Sequence, residues 1–244
     1  MTDRSIVVVG AGIFGESLAY HLAGRGRPVT LIDAGLPGSG ATRASFAWIG
    51  RPVTSDLPSA PLRYPALDEY RRLETELPEL SIRWSGSISW DGFDETPGPR
   101  TDDVGALEPH LLNPPAVAIH RPEDTAFDPV AATDLLVTAA RNRGARLLTG
   151  ALATALDHRA GTVSGVQTTA GVVPVETVAL AAGTGTVALC SGIGTPCPSS
   201  RRPPSLSGCA HAMPCHAMPC HAMTRQDMGR NELYVQVFLW LESD

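Results

Sequence analysis

The chain has 244 residues, 43% hydrophobic and 18% charged, enough to bury a core as one large domain or two small ones. Its net charge of -6 gives no basic footprint for nucleic acid and no polybasic membrane anchor, and no stretch nears the ~20 apolar residues of a membrane span. All 19 basic residues are arginine, which excludes a catalytic lysine.

The apolar run after Arg4 is short and leads straight into a glycine turn, so it does not read as a secretory signal and the expected location is the cytoplasm. Ile6 to Val9 is a β-branched run without polar alternation, the pattern of a buried parallel strand. Gly10-Ala11-Gly12-Ile13-Phe14-Gly15 follows. Gly10 allows a tight turn, Gly12 lets the backbone approach a pyrophosphate, and Gly15 lets the next helix pack close to the strand. That helix is expected over Phe14 to Arg25, with its N–H groups and the positive end of its dipole facing the phosphates. A second strand, Val29 to Ile32, ends at Asp33, placed 18 residues beyond Gly15 to accept hydrogen bonds from a ribose hydroxyl. Strand, glycines, helix and acid in this order indicate a dinucleotide site. A glycine-rich turn in an ordinary α/β domain is the competing reading.

Residues 34–61 are rich in Gly, Ser and Pro and too long for an idle connection; they include Gly40-Ala41-Thr42-Arg43-Ala44-Ser45. Leu67, Tyr70, Leu73 and Leu77 share a helical face, which predicts a helix over Tyr64 to Leu77, stopped by Pro78. Ile82 to Trp90 reads as strand, turn or bulge, and strand, followed by a loop-rich section and a strand over Ala116 to His120. Asp128 is an N-cap with Pro129 at the first helical position, and that helix runs to about Asn142. Short strands over Arg146–Thr149, Leu152–Asp157, Val163–Thr168 and Val172–Val175 read as a β-meander. Thr177 to Ala182 reads as a strand returning to the central parallel sheet.

After Thr195 the composition breaks. Pro, Ser and Arg crowd residues 196–204, and the repeat His211-Ala212-Met213-Pro214-Cys215 recurs at His216 and, in part, at His221. Cys190, Cys197, Cys209, Cys215 and Cys220 form an odd, clustered set unlike a disulfide framework. Cys209, His211, Cys215, His216, Cys220 and His221 are zinc- or copper-type ligands, but their spacing matches no common zinc module, so no metal is expected. Leu233 to Leu241 reads as a strand or as an aggregation liability.

The pattern resembles the FAD-dependent oxidoreductases of the D-amino-acid oxidase type, which include glycine and sarcosine oxidases and D-amino-acid dehydrogenases. The resemblance covers about residues 4–195. It rests on the Gly10–Gly15 cradle with Asp33, the Gly40–Ser45 loop, the Phe127-Asp128-Pro129 helix start and the Thr162-to-Gly183 block. It implies an α/β fold: a Rossmann-like FAD-binding domain with a parallel central sheet and β-meander over 1–80 and 122–195, and a partial antiparallel substrate domain over 81–121. The composition break makes residues 196–244 a low-complexity tail that is expected to be disordered. By resemblance Gly10, Gly12, Gly15 and Asp33 hold the ADP half of FAD, Thr42, Arg43, Ala44 and Ser45 line the pyrophosphate and approach the flavin, Ala153 meets the adenine, and Gly183 approaches the dinucleotide.

The implied reaction oxidises the C–N bond of an amino acid or secondary amine to an imine. Arg51 is the one candidate for bidentate capture of a substrate carboxylate, with a solvated arginine as its alternative. His120 and Trp84 are candidates for the substrate cavity, although sheet packing is the better reading for each. The family's second half has no counterpart after Thr195, and the tail reads as an out-of-frame or aberrant stretch on a truncated flavoprotein. A nicotinamide-dependent dehydrogenase and a non-catalytic nucleotide-binding fragment are the alternative readings.

Overall fold

The computed structural model describes residues 5–50, 60–90, 98–159, 162–194 and 239–242. These divide into two compact units, one of residues 5–47, 128–159, 162–194 and 239–242, the other of residues 48–50, 60–90 and 98–127. The first unit opens with β1 (Ile6–Val9), buried along its whole length. Helix α1 (Ile13–Gly24) follows, then β2 (Val29–Ile32), parallel to β1 with Ile6 opposite Val29. The α1 boundaries lie one residue from those expected. Gly26, with φ 73, provides the left-handed position that ends this turn.

The second unit contains β3 (Trp48–Ile49), α2 (Ala60–Glu76), β4 (Ser87–Ser89), β5 (Arg100–Thr101), α3 (Val104–Leu107), β6 (Ala118–Arg121) and β7 (Thr125–Ala126). Helix α2 starts earlier than expected and carries Pro65 inside it. Pro65 is the sixth helical residue and has no N–H to donate to the carbonyl four residues back, so the helix runs on without that bond. Strand β6 pairs antiparallel with β4 on one side and β5 on the other, and β3 pairs antiparallel with β7. Arg83 bridges Ala126, and Gly86 turns at φ 76 before β4, so Ile82 to Trp90 forms a bridge, a turn and one strand.

The chain then rejoins the first unit. Helix α4 (Pro129–Asn142) starts as expected: Asp128 Oδ1 accepts bonds from the N–H groups of Val130 (2.9 Å) and Ala131 (3.0 Å). Strand β8 (Arg146–Leu148) pairs parallel with β2. This corrects the expectation that it belongs to the meander. A three-residue strand carries no feature naming its partner; α4, packed on α1, delivers it to the edge of β2 that β1 leaves open. The meander proper is β9 (Ala153–Arg159), β10 (Thr162–Thr168) and β11 (Gly171–Pro174), a three-stranded antiparallel sheet. Strand β12 (Thr177–Leu180) returns parallel to β1, followed by a short helix, α5 (Thr186–Gly192).

Strand β13 (Leu239–Glu242) lies antiparallel against β12, so the central sheet runs β13-β12-β1-β2-β8. Residues 239–241 fall within the Leu233–Leu241 stretch that reads as a strand or an aggregation liability, and residues 195–238 lie outside the described residues. Val7, Val9, Ile32, Val178 and Leu180 meet Leu156, Val163, Val166 and Val175 of the meander side and Leu189 and Cys190 of α5 in one core. Helices α1 and α4 pack on each other. The α/β architecture with a parallel Rossmann-like sheet and separate antiparallel sheets is the fold class expected from the sequence.

Candidate cofactor site

Each glycine of the first turn answers a different geometric demand. Gly10 adopts φ 106, and a Cβ there would lie 2.4 Å from the Ala181 carbonyl oxygen just past β12. A Cβ on Gly15 would lie 1.8 Å from the Gly10 carbonyl oxygen, so the first turn of α1 rests directly on the strand's end. Gly12 is different: among the described residues only Thr42 Oγ1, at 3.2 Å, lies near its absent Cβ. Two glycines are therefore required by the protein's own packing, while the third keeps one side of the turn open.

Hydrogen bonds fix the rim. Thr42, buried in the 3-10 helix Ala41–Ala44, accepts the Ile13 N–H through Oγ1 at 3.1 Å and so caps the start of α1 from another segment. Asp33 Oδ2 accepts from the Ala11 N–H at 2.6 Å and Oδ1 from the Gly35 N–H at 2.7 Å. The Gly38 N–H donates to the Ala11 carbonyl at 2.8 Å, and the Ala151 N–H to the Asp33 carbonyl at 2.9 Å. The carboxyl ends of β1, β2 and β12 thus converge with two loops, the place where open α/β sheets bind ligands.

Gly10, Gly12, Gly15, Asp33 and Thr42 are brought together by these contacts. Gly183, with φ 56, opens a 3-10 turn two residues after the carbonyl that Gly10 meets. Ala153 opens β9 two residues after Ala151. Arg43, Ala44 and Ser45 are exposed, and Ser45 Oγ accepts the Ala47 N–H at 3.0 Å. Arg51 lies outside the described residues.

One residue of this region was missed from the sequence. Glu16, the residue after Gly15 on α1, is 0% exposed, and neither carboxyl oxygen has a hydrogen-bond partner among the described residues. Burial first, then the charges of Asp134 and Asp33, pushes its pKa up to about 9, so it is a neutral acid at pH 7. The signal was present: Glu16 stands three and four residues before Ala19 and Tyr20, both fully buried, on the inward face of the helix.

In the second unit, Trp84 donates through Nε1 to Glu74 Oε2 at 3.0 Å, and the Arg71 guanidinium lies 4.9 Å from its ring centroid. His120 borders a hollow of about 30 Å³ with Ser85, Gly86, Ser87, Ile88, Leu107 and Glu108, room for about one water. Ser87 Oγ donates to the buried Asp124 Oδ2 at 2.6 Å. No group of three or more metal-ligating side chains occurs among the described residues; the tail's cysteines and histidines lie outside them. No described helix is long and apolar enough to cross a membrane.

A tight glycine turn, a helix start aimed past an open glycine, and an acid at the second strand's end define a dinucleotide-binding α/β unit. Residues 5–204 match the family model described as FAD dependent oxidoreductase, and the chain belongs to that family. It is 28% identical over 206 residues to the uncharacterized oxidoreductase YurR of Bacillus subtilis (strain 168), covering 73% of this chain and 55% of that protein. It is 32% identical over 108 residues to a glycine oxidase of Bacillus licheniformis, covering 42% of this chain and 29% of the relative. Among solved structures, glycine oxidase from Bacillus cereus ATCC 14579 superposes with a TM-score of 0.69 at 22% identity, over 77% of this chain and 57% of that one. L-amino acid deaminase from Proteus myxofaciens superposes with a TM-score of 0.71 at 21% identity, over 81% and 49%. The chain thus spans about half or less of the length of these relatives.

FAD is the cofactor of this family, and the residues present fit it. Gly12 leaves the approach a diphosphate needs, and a side chain there would narrow it. The family match removes the nicotinamide alternative that the cradle alone permits.

Proposed function

We propose that this chain serves FAD-dependent oxidation of the C–N bond of an amino acid or secondary amine. The substrate loses two electrons and two protons and becomes an imine, which water hydrolyses. Bound FAD supplies the two-electron acceptor. The observation that carries the reading is the Gly10–Gly15 turn, locked to Asp33 through Ala11 N–H and to Thr42 through Ile13 N–H.

In this reading Gly10, Gly12, Gly15 and Asp33 hold the ADP half. Thr42, Arg43, Ala44 and Ser45 line the pyrophosphate and lead to the flavin, Ala153 meets the adenine, and Gly183 closes the strand-end side. Backbone N–H groups and small side chains suit close approach to a diphosphate. Arg51 is proposed to hold a substrate carboxylate. Residues 1–80 and 122–195 form the FAD-binding domain and 81–121 part of the substrate domain. The proposed location is the cytoplasm.

The visible spectrum of the purified chain, followed by identification of any released cofactor, tests the reading. Bound FAD bleached by an amino acid or secondary amine under anaerobic conditions supports it. FAD that no such substrate reduces leaves a nucleotide-binding chain, and colourless protein that takes up no added FAD overturns the site.

A further inference from the structure

Glu16 closes the first turn of α1, its N–H donating to the Gly12 carbonyl at 3.1 Å, in the same turn whose open glycine faces the cofactor. Among the described residues it is the one fully buried carboxyl of this unit, and neither of its oxygens has a partner there. A buried, unpaired carboxyl survives as the neutral acid. Its charged neighbours are Asp134 from α4, the helix packed against α1, and Asp33 from the end of β2, both negative. Arg43 sits on the 3-10 helix that packs on α4, but it is exposed and gives Glu16 no bond. His21 is on α1 itself, in its last turn, away from this end.

We propose that Glu16 sets the pH range over which this chain holds its cofactor: as a neutral acid it leaves the helix end to the cofactor diphosphate, and as a carboxylate it competes with that diphosphate. The inference rests on the reading of Gly10–Gly15 as the FAD cradle. Ionisation adds a third negative charge to Asp33 and Asp134 at the end of the fold where a dianion binds. Linkage makes the effect reciprocal: the proton favours the dianion, and the bound dianion holds the proton more tightly.

The test is a titration of the full apo-chain with FAD from pH 6.5 to 10, for the native protein and for Glu16→Gln. If the ionised form does not bind, the apparent Kd rises by 1 + 10^(pH − pKa), about tenfold at pH 10 for a pKa of about 9. That rise is expected in the native chain and absent in Glu16→Gln once the titration of the flavin itself, common to both, is divided out. Parallel profiles overturn the role of Glu16 and leave the cradle standing. No FAD binding at pH 7 by the native chain overturns the cradle and the proposal with it. If Glu16→Gln does not fold, the carboxyl ¹³C titration of Glu16 in the native chain decides. A midpoint that rises when FAD is added supports the proposal, and an unmoved one overturns it.

Discussion

Replacing Gly15 by alanine and, separately, Gly12 by alanine divides the cradle into what the protein needs and what the cofactor needs. In Gly15→Ala the new methyl would stand 1.8 Å from the Gly10 carbonyl oxygen and 3.3 Å from Ala181 Cβ, where ordinary contact begins at 3.4 Å. The nearest obstacle is backbone, so α1 must lift by about 1.5 Å or the strand end must bend. Overpacking of this kind costs about 3 kcal/mol or more, and the gain in helix propensity returns about 1 kcal/mol. A net loss of about 2–3 kcal/mol lowers the Tm by roughly 5–10 °C for a chain of this size. Gly12→Ala meets only the Thr42 hydroxyl, at 3.2 Å. The expected cost in the apo-protein is below about 1 kcal/mol, from the poorer helix cap. The methyl nevertheless stands in the diphosphate's approach, and about 2–3 kcal/mol of lost contact weakens FAD about 30- to 150-fold. Thermal unfolding of both apo-variants and FAD titration at pH 7 measure the pair. Native Tm in Gly15→Ala would refute the close helix-strand approach. Native FAD affinity in Gly12→Ala would refute the placement of the diphosphate.

Three further outcomes follow from named bonds. Asp128→Ala removes the acceptor shared by the Val130 and Ala131 N–H groups and lowers stability by about 1 kcal/mol, read by denaturant unfolding. Asp33→Asn turns one of two acceptors toward a backbone N–H as an amide donor, costing about 1–3 kcal/mol and weakening FAD, read by Tm and titration. For Glu16, the folded pKa of about 9 lies above the ordinary 4.5. Its contribution is therefore fully present below pH 4.5, is lost as pH rises toward 9, and stays level above. The ceiling on that loss is about 6 kcal/mol. Apo-protein Tm measured against pH should fall more steeply between pH 5 and 9 in the native chain than in Glu16→Gln, and equal slopes would refute the raised pKa.

Local chemistry made much of this fold legible. An unbroken β-branched run, three spaced glycines, an acid at a strand's end and an Asp-Pro helix start each act within a few residues, so sequence order displays them. The two-residue strands β3, β5 and β7 were not seen, because they exist only through pairing: Trp48 with Ala126, Arg100 with Ile119. Helices α3 and α5 were missed for a related reason. With four and seven residues they are too short for a face to repeat, and tertiary contact holds them. The three cradle glycines are visible in the sequence as one group, but their division of labour depends on Ala181 and Thr42, which lie far along the chain.

The acids show why residue type alone cannot assign a role here. Asp33, Asp128 and Glu16 all lie beside a helix start or the cradle; the sequence reads Asp33 as a ribose acceptor and Asp128 as an N-cap, and assigns Glu16 no role. Asp33 and Asp128 each accept bonds from two backbone N–H groups. Glu16 meets none among the described residues and has two negative neighbours. A charged Glu16 would need a donor that the surrounding α1–α4 packing does not provide. The same side-chain chemistry therefore gives an acceptor at the cradle rim, a helix cap and a buried neutral acid. Burial and the count of available donors decide among them, and both are properties of the folded chain.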